Sequence, residues 1–73
     1  IIGSNCKILQ NVTIGGNSRG ETPVIKDNIL IGAGATIIGN VTIEDNAKIG
    51  AMSLVLDDVP ANTVIVANKG QAL

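Results

Sequence analysis

The side chains able to carry chemistry are few and scattered along the chain. The 73 residues include no histidine, one cysteine, six acidic and five basic residues. One cysteine without histidine cannot build a zinc site of the Cys/His type, so we expect no bound metal. Cys6 stands where other repeats have valine or alanine, which indicates a small core residue and not a nucleophile. Glu21, the one acid in the polar stretch 17–23, is interpreted as a solvated charge.

Charge and composition argue against two large classes of function. Neither sign of charge forms a run longer than two residues, and phenylalanine, tyrosine and tryptophan are absent. Proteins that bind single-stranded nucleic acid combine a basic groove with aromatic stacking platforms, so no nucleic-acid partner is expected. No apolar run approaches the ~20 residues that span a bilayer. We therefore expect a cytoplasmic protein without a membrane partner.

The elements that must position these groups recur with a period of six residues. Side chains two residues apart on a strand point to the same face. Each six-residue unit can therefore form one short strand that directs two side chains into a narrow interior. An amphipathic helix would be broken by the interleaved glycine and asparagine. The main inward positions are all aliphatic: Ile2, Ile8, Ile14, Ile25, Ile31, Ile37, Ile43, Ile49 and Val55. A second inward residue stands two before each, usually smaller: Cys6, Val12, Pro23, Ile29, Ala35, Val41, Ala47, Ser53 and then Val59.

The bends between strands are marked by asparagine and glycine, which adopt a positive φ at the least cost. The predicted corners are Asn5, Asn11, Asn17, Asn28, Gly34, Asn40 and Asn46. Met52 and Asp58 break this rule, so we expect a strained or differently built turn there. The pattern predicts an all-β parallel β-helix of hexapeptide repeats with about three coils, over residues 2–19, 25–42 and 43–60. Residues 17–23 are predicted to be an inserted loop in a 1–60 domain, and residues 61–73 a C-terminal extension.

Residues 8–16 (ILQNVTIGG), 31–40 (IGAGATIIGN) and 47–51 (AKIGA) resemble the C-terminal β-helix of bacterial serine acetyltransferases, within the hexapeptide-repeat acyltransferase superfamily. The resemblance runs from about residue 8 to residue 66, apart from a shortened loop. It implies a left-handed coil, which spacing alone does not determine. It also implies transfer of an acetyl group from acetyl-CoA to the hydroxyl of serine, as in cysteine biosynthesis. The implied assembly is a homotrimer with active sites between subunits.

The loop departs from the family pattern at the position of a catalytic histidine. Where the family has Asp-Arg-His-Pro-Lys-Ile, residues 20–25 read Gly-Glu-Thr-Pro-Val-Ile. Thr22 occupies the histidine position, and threonine cannot act as the general base that activates a hydroxyl. The family's second histidine would fall on a coil before Ile1. The catalytic residues are therefore unknown from this sequence, and the start within a repeat leads us to expect a longer polypeptide.

The resemblance also implies candidates for the binding of CoA. Ala33 and Ala51 are 18 residues apart and should stack at one corner, where small side chains leave a groove for the peptide-like pantetheine arm. Gly16 is a third candidate, and Lys69 is a candidate partner for the phosphates. The alternative interpretation is that the small residues only satisfy tight turns and that Lys69 is an exposed tail lysine.

Two alternative functions use the same scaffold. One is a sugar or polysaccharide O-acetyltransferase, and the other is a non-catalytic β-helix that retains trimerisation. A trimer is expected in either case, because an isolated short solenoid exposes its ends and the outer side chains of Leu9, Leu30, Leu54 and Leu56. Binding of acetyl-CoA and an upstream Asp-His pair would favour an active transferase that takes a small-molecule hydroxyl acceptor.

Overall fold

The computed structural model describes residues 1–67, which fold into short strands joined by tight turns. This part of the chain contains no helix long and apolar enough to cross a membrane. Branched aliphatic residues dominate the strands because they fit a pleated, half-buried surface. The strands are β1 (Lys7–Ile8), β2 (Thr13–Gly15), β3 (Val24–Ile25), β4 (Leu30–Ile31), β5 (Thr36–Ile38), β6 (Thr42–Ile43), β7 (Lys48–Ile49), β8 (Leu54–Val55) and β9 (Val64–Ile65).

The strands form three parallel sheets, and each sheet is one side of a solenoid. The strand orders are β1-β4-β7-β9, β2-β5-β8 and β3-β6, so every strand pairs with its equivalent one coil later. Isolated bridges from Ile2 to Ile25 and from Ile43 to Val59 extend the third side at both ends. The predicted all-β architecture of stacked hexapeptide coils is confirmed.

The inward aliphatic residues form three ladders with the predicted membership. They are Ile2, Ile25 and Ile43; Ile8, Ile31 and Ile49; and Ile14, Ile37 and Val55. Members of the middle coil are almost completely buried, with Ile31 and Ile37 0% exposed. Ile2 and Ile8 are 50% and 37% exposed, because a neighbouring coil packs on only one side of them. The least exposed ladder members, Ile31, Ile37 and Ile43, each have an equivalent residue on both sides.

Positive backbone φ angles occur at most of the predicted corners. The confirmed corners are Asn5 (58°), Asn11 (59°), Asn28 (59°), Gly34 (74°) and Asn46 (63°). The prediction is wrong at Asn17 and Asn40, where Gly20 (79°) and Gly39 (99°) take the positive φ instead. Glycine adopts this conformation without a Cβ penalty, so it takes the positive φ in preference to asparagine.

Met52 and Asp58 show the two expected departures from the corner rule: a strained turn at Met52 and a differently built turn at Asp58. Met52 adopts φ 63°, a conformation that costs a long side chain free energy, and its sulfur lies where a Cβ on Gly34 would stand. Asp58 has no positive φ. Its Oδ1 accepts a hydrogen bond from the Thr42 backbone N–H at 2.8 Å, which links it to the coil before.

The coil that contains Asp58 is two residues short. Ile43 pairs with Val59 and Ile49 with Ile65, whereas Ile25 pairs with Ile43 at the regular 18-residue spacing. Val59 therefore joins the main ladder, and its prediction as the second inward residue is wrong because the short turn shifts the register. Stacking continues beyond residue 60, because β9, which lies within residues 61–73, pairs with β7 of the coil before it.

Candidate functional site

The inserted loop is a closed turn held at its neck by Asn17. The backbone N–H of Asn17 donates to the carbonyl of Glu21 at 3.0 Å, and the Gly20 N–H donates to the carbonyl of Asn17 at 3.0 Å. The Asn17 side-chain oxygen accepts from the N–H groups of Arg19 and Glu21 at 2.9 and 3.1 Å. Asn17 therefore caps the loop, which explains why it does not form a left-handed corner.

Glu21 is fixed by two amide side chains. Its Oε1 accepts from Asn17 Nδ2 at 2.8 Å, and its Oε2 accepts from Asn40 Nδ2 at 3.3 Å. The residue is half-buried, so the prediction of a freely solvated charge is wrong. The reason is the closed shape of the loop, which turns Glu21 back onto the corner of the second coil. Asn40 and Asn17 are functional candidates that the repeat pattern assigned only to corners.

Thr22 lies at the base of the loop next to Gly16. A Cβ added to Gly16 would stand 3.3 Å from Thr22 Cγ2 and 3.0 Å from the Glu21 carbonyl oxygen, so glycine allows this close approach. Thr22 is exposed, while the following Pro23 is buried and returns the chain to the core. The loop therefore holds the Thr22 side chain at the surface between the Gly16 corner and Glu21.

Ala33 and Ala51 stack at one corner, as their spacing predicts. The Met52 N–H donates to the Ala33 carbonyl at 2.9 Å. Ala33 is half-buried and Ala51 is exposed, so these two positions present small side chains, and the exposed side chain of Met52 follows Ala51 at the same corner. Gly32, which sequence reasoning did not single out, makes the stack possible, because a Cβ there would lie 2.5 Å from the Ala51 nitrogen. Register with Ile49 and Ile65 places Ala67 next in this stack.

Gly16, another CoA candidate, does not lie at this corner. Gly16 belongs to the neighbouring corner, where the Gly39 N–H donates to the Gly15 carbonyl at 3.0 Å. Strands β2 and β5 separate the two corners, so the distance between them is at most roughly 20 Å, the length of six fully extended residues at about 3.3 Å each. Lys69 lies outside the described residues. The structure thus brings Ala33 together with Ala51, and Gly16 together with Thr22.

Cys6 occupies the predicted position against the core. It is half-buried, packs against the central aliphatic cluster, and its thiol donates to the Lys26 carbonyl oxygen at 3.1 Å. Among residues 1–67, no three histidine, cysteine, aspartate or glutamate side chains gather in a group that could hold a metal ion.

The sequence is similar to known transferases. The family described as bacterial transferase hexapeptide (six repeats) matches residues 22–57. The Arabidopsis thaliana protein named serine acetyltransferase 3, mitochondrial, is 49% identical over 100% of this chain, which covers 19% of that protein. The chain is therefore a hexapeptide-repeat transferase domain.

Solved structures of serine acetyltransferases are similar to this chain. Serine acetyltransferase from Neisseria gonorrhoeae in complex with serine has a TM-score of 0.87 and 44% identity, over 97% of this chain and 30% of that chain. Serine acetyltransferase from Brucella abortus strain S19 in complex with coenzyme A has a TM-score of 0.82 and 38% identity, over 92% and 28%. The fold is the left-handed β-helix of these enzymes, and the chain's homologues are serine acetyltransferases. The chain spans about a fifth to a third of the length of its curated relatives.

Proposed function

We propose that the protein transfers the acetyl group of acetyl-CoA to the hydroxyl of serine. The observation that carries this proposal is the agreement of the fold, over 97% of the chain and with a TM-score of 0.87, with an acetyltransferase structure solved with serine. A β-helix alone would not indicate an acceptor, because one fold hosts many functions. The identity of 49% with a serine acetyltransferase over the whole chain favours serine as the acceptor.

Ala33 and Ala51 are proposed to border the site for acetyl-CoA. Their methyl side chains leave the backbone of the corner accessible, and the amides of a pantetheine arm need backbone N–H and carbonyl partners. The related Brucella abortus enzyme was solved with coenzyme A. Gly16, at the neighbouring corner beside Thr22, is proposed to border the reacting end of the site. Lys69 is proposed as a partner for the phosphates.

The proposed reaction needs a general base, and we propose that this base comes from outside residues 1–73. A serine hydroxyl is a poor nucleophile toward a thioester, and a positioned base typically contributes a factor of 10²–10⁴ in rate. Thr22 offers a hydroxyl and cannot accept the proton, and the 73 residues contain no histidine. The base is therefore assigned to another part of the polypeptide or to a neighbouring subunit.

A homotrimer is proposed as the working assembly. Leu9, Leu54 and Leu56 are 42%, 64% and 55% exposed, and Leu30 is half-buried on the outer surface. Burial of such side chains between parallel solenoids would remove apolar area from water. Sedimentation equilibrium should give three times the protomer mass, and a stable monomer would contradict the proposal. A cytoplasmic location stays a prediction, to be checked by cell fractionation.

Calorimetric titration with acetyl-CoA tests the proposed site. Ala51→Leu should fill the groove and weaken binding at least tenfold. Ala61→Leu is the matched control, because Ala61 is also exposed and precedes a positive-φ residue, Asn62, as Ala51 precedes Met52. Equal affinity of both variants would remove Ala51 from the site. No binding by the unmodified protein would reject the transferase proposal in favour of a non-catalytic β-helix.

A further inference from the structure

The loop carries a negative charge whose position is fixed. Glu21 receives one amide hydrogen bond on each carboxylate oxygen, from Asn17 at 2.8 Å and from Asn40 at 3.3 Å. The Asn17 side chain is itself fixed, since its oxygen accepts two backbone N–H groups of the loop. Three elements therefore determine where the charge stands: the loop neck, the loop tip and the corner of the second coil.

Both partners of Glu21 are neutral amides, so its formal charge is not cancelled by these contacts. A carboxylate oxygen can accept two hydrogen bonds, and each oxygen here has received one. The remaining capacity suits a donor group, and a positively charged donor gains most, because hydrogen bonds between charged groups are stronger than neutral ones. A ligand carboxylate at the same place would be repelled.

The carboxylate of Glu21 belongs to the residue directly before Thr22, which lies beside Gly16 at the proposed reacting end of the site. Thr22 follows Glu21 in the chain and is exposed next to Gly16. Glu21 stands where the serine acetyltransferase pattern that residues 20–25 resemble has arginine, so the side chain at this position carries the opposite charge. An acceptor with an ammonium group and a hydroxyl on adjacent carbons could place the ammonium against Glu21 and direct the hydroxyl toward the thioester.

We propose that Glu21 is a specificity-determining residue that selects amino-alcohol acceptors by their ammonium group and disfavours acceptors that present only a carboxylate to the loop. Asn17 and Asn40 are positioning residues, which hold the carboxylate in place. The inference rests on the proposed function, because it assumes that the loop borders the acceptor site. It assigns the ammonium of serine, and not its carboxylate, to the loop.

The test compares two halves of serine as acceptors for acetyl-CoA in the complete polypeptide. Ethanolamine keeps the ammonium and lacks the carboxylate, while 3-hydroxypropionate keeps the carboxylate and lacks the ammonium. Release of free CoA gives kcat/KM for each acceptor. The unmodified protein should favour ethanolamine at least tenfold. Glu21→Gln should lower that ratio at least tenfold, mainly through the KM of ethanolamine, and Glu21→Arg should invert the preference.

Glu44→Gln is the control, since Glu44 is the only other glutamate of the chain and lies on a different part of the solenoid. It should leave the acceptor ratio unchanged. Measurable transfer with the same ratio in Glu21→Gln and Glu21→Arg as in the unmodified protein would overturn the role of Glu21 and leave the proposed function standing. Absence of transfer to serine and to both of its halves would overturn the proposed function together with this inference.

Discussion

Replacement of Ile37 by alanine removes a fully buried side chain from the middle coil. Ile37 is 0% exposed and lies between Ile14 and Val55 in its ladder. The change removes three buried carbon groups, roughly 2.4 kcal/mol at about 0.8 kcal/mol each. Backbone pairing on both sides prevents the coils from closing around the cavity. With the cavity contribution, the free energy of unfolding should fall by about 3–5 kcal/mol, in the upper part of the range for such substitutions.

Urea unfolding followed by far-ultraviolet circular dichroism measures this loss. The chain has no tryptophan or tyrosine for fluorescence, and protomer concentration must be constant because assembly adds to apparent stability. Ile37→Val should cost about 0.5–1.5 kcal/mol. Ile8→Ala is the control, since Ile8 is already 37% exposed, and should cost about 1–2 kcal/mol. A loss in Ile37→Ala no larger than that in Ile8→Ala would refute the packing argument.

Substitutions at four further positions test separate features. Met52→Asn should stabilise the protein by about 0.5–1 kcal/mol in thermal unfolding, because asparagine tolerates φ 63° better than methionine. Ser53→Ala should stabilise it by about 1 kcal/mol, since the Ser53 hydroxyl is buried without a partner in residues 1–67 and Ala35 fills the equivalent place one coil earlier. Asp45→Ala should cost about 1–2 kcal/mol by losing a 2.9 Å hydrogen bond to a backbone N–H of the coil before, while Asp45→Asn, which keeps an oxygen acceptor, should cost less than half of that. In the complete polypeptide, Thr22→His should raise kcat/KM for serine and Thr22→Ala should change it little; a loss of about 100-fold in Thr22→Ala would favour a sugar acceptor.

The ladders could be predicted from the sequence because each inward residue mainly contacts the residues at the same position of the adjacent coils. In a solenoid, the period of the pattern determines the neighbours, so Ile25, Ile31 and Ile37 needed no knowledge of distant contacts. The asparagine corners followed from the cost of positive φ. The same logic explains why the stack of Ala33 and Ala51 was found in advance, since both obey the 18-residue spacing.

The loop network could not be predicted, because asparagine serves two structural roles with one pattern. At position 17, asparagine is equally compatible with a left-handed corner and with a side chain that caps a loop. The hydrogen bonds of the closed turn show that it is a cap. The contact of Asn40 with Glu21 depends on where that turn ends. The short coil was also hidden, because Val59 is apolar in either register and the spacing alone does not show which one pairs.

Product analysis with the complete polypeptide tests the central claim most directly. The protein is incubated with acetyl-CoA and L-serine, and the mixture is analysed by mass spectrometry against a reaction without protein. We predict O-acetylserine in an amount equal to the free CoA released. Binding of acetyl-CoA with no acetylated serine, or release of CoA that does not depend on serine, would contradict the assignment of this β-helix to a serine acetyltransferase reaction.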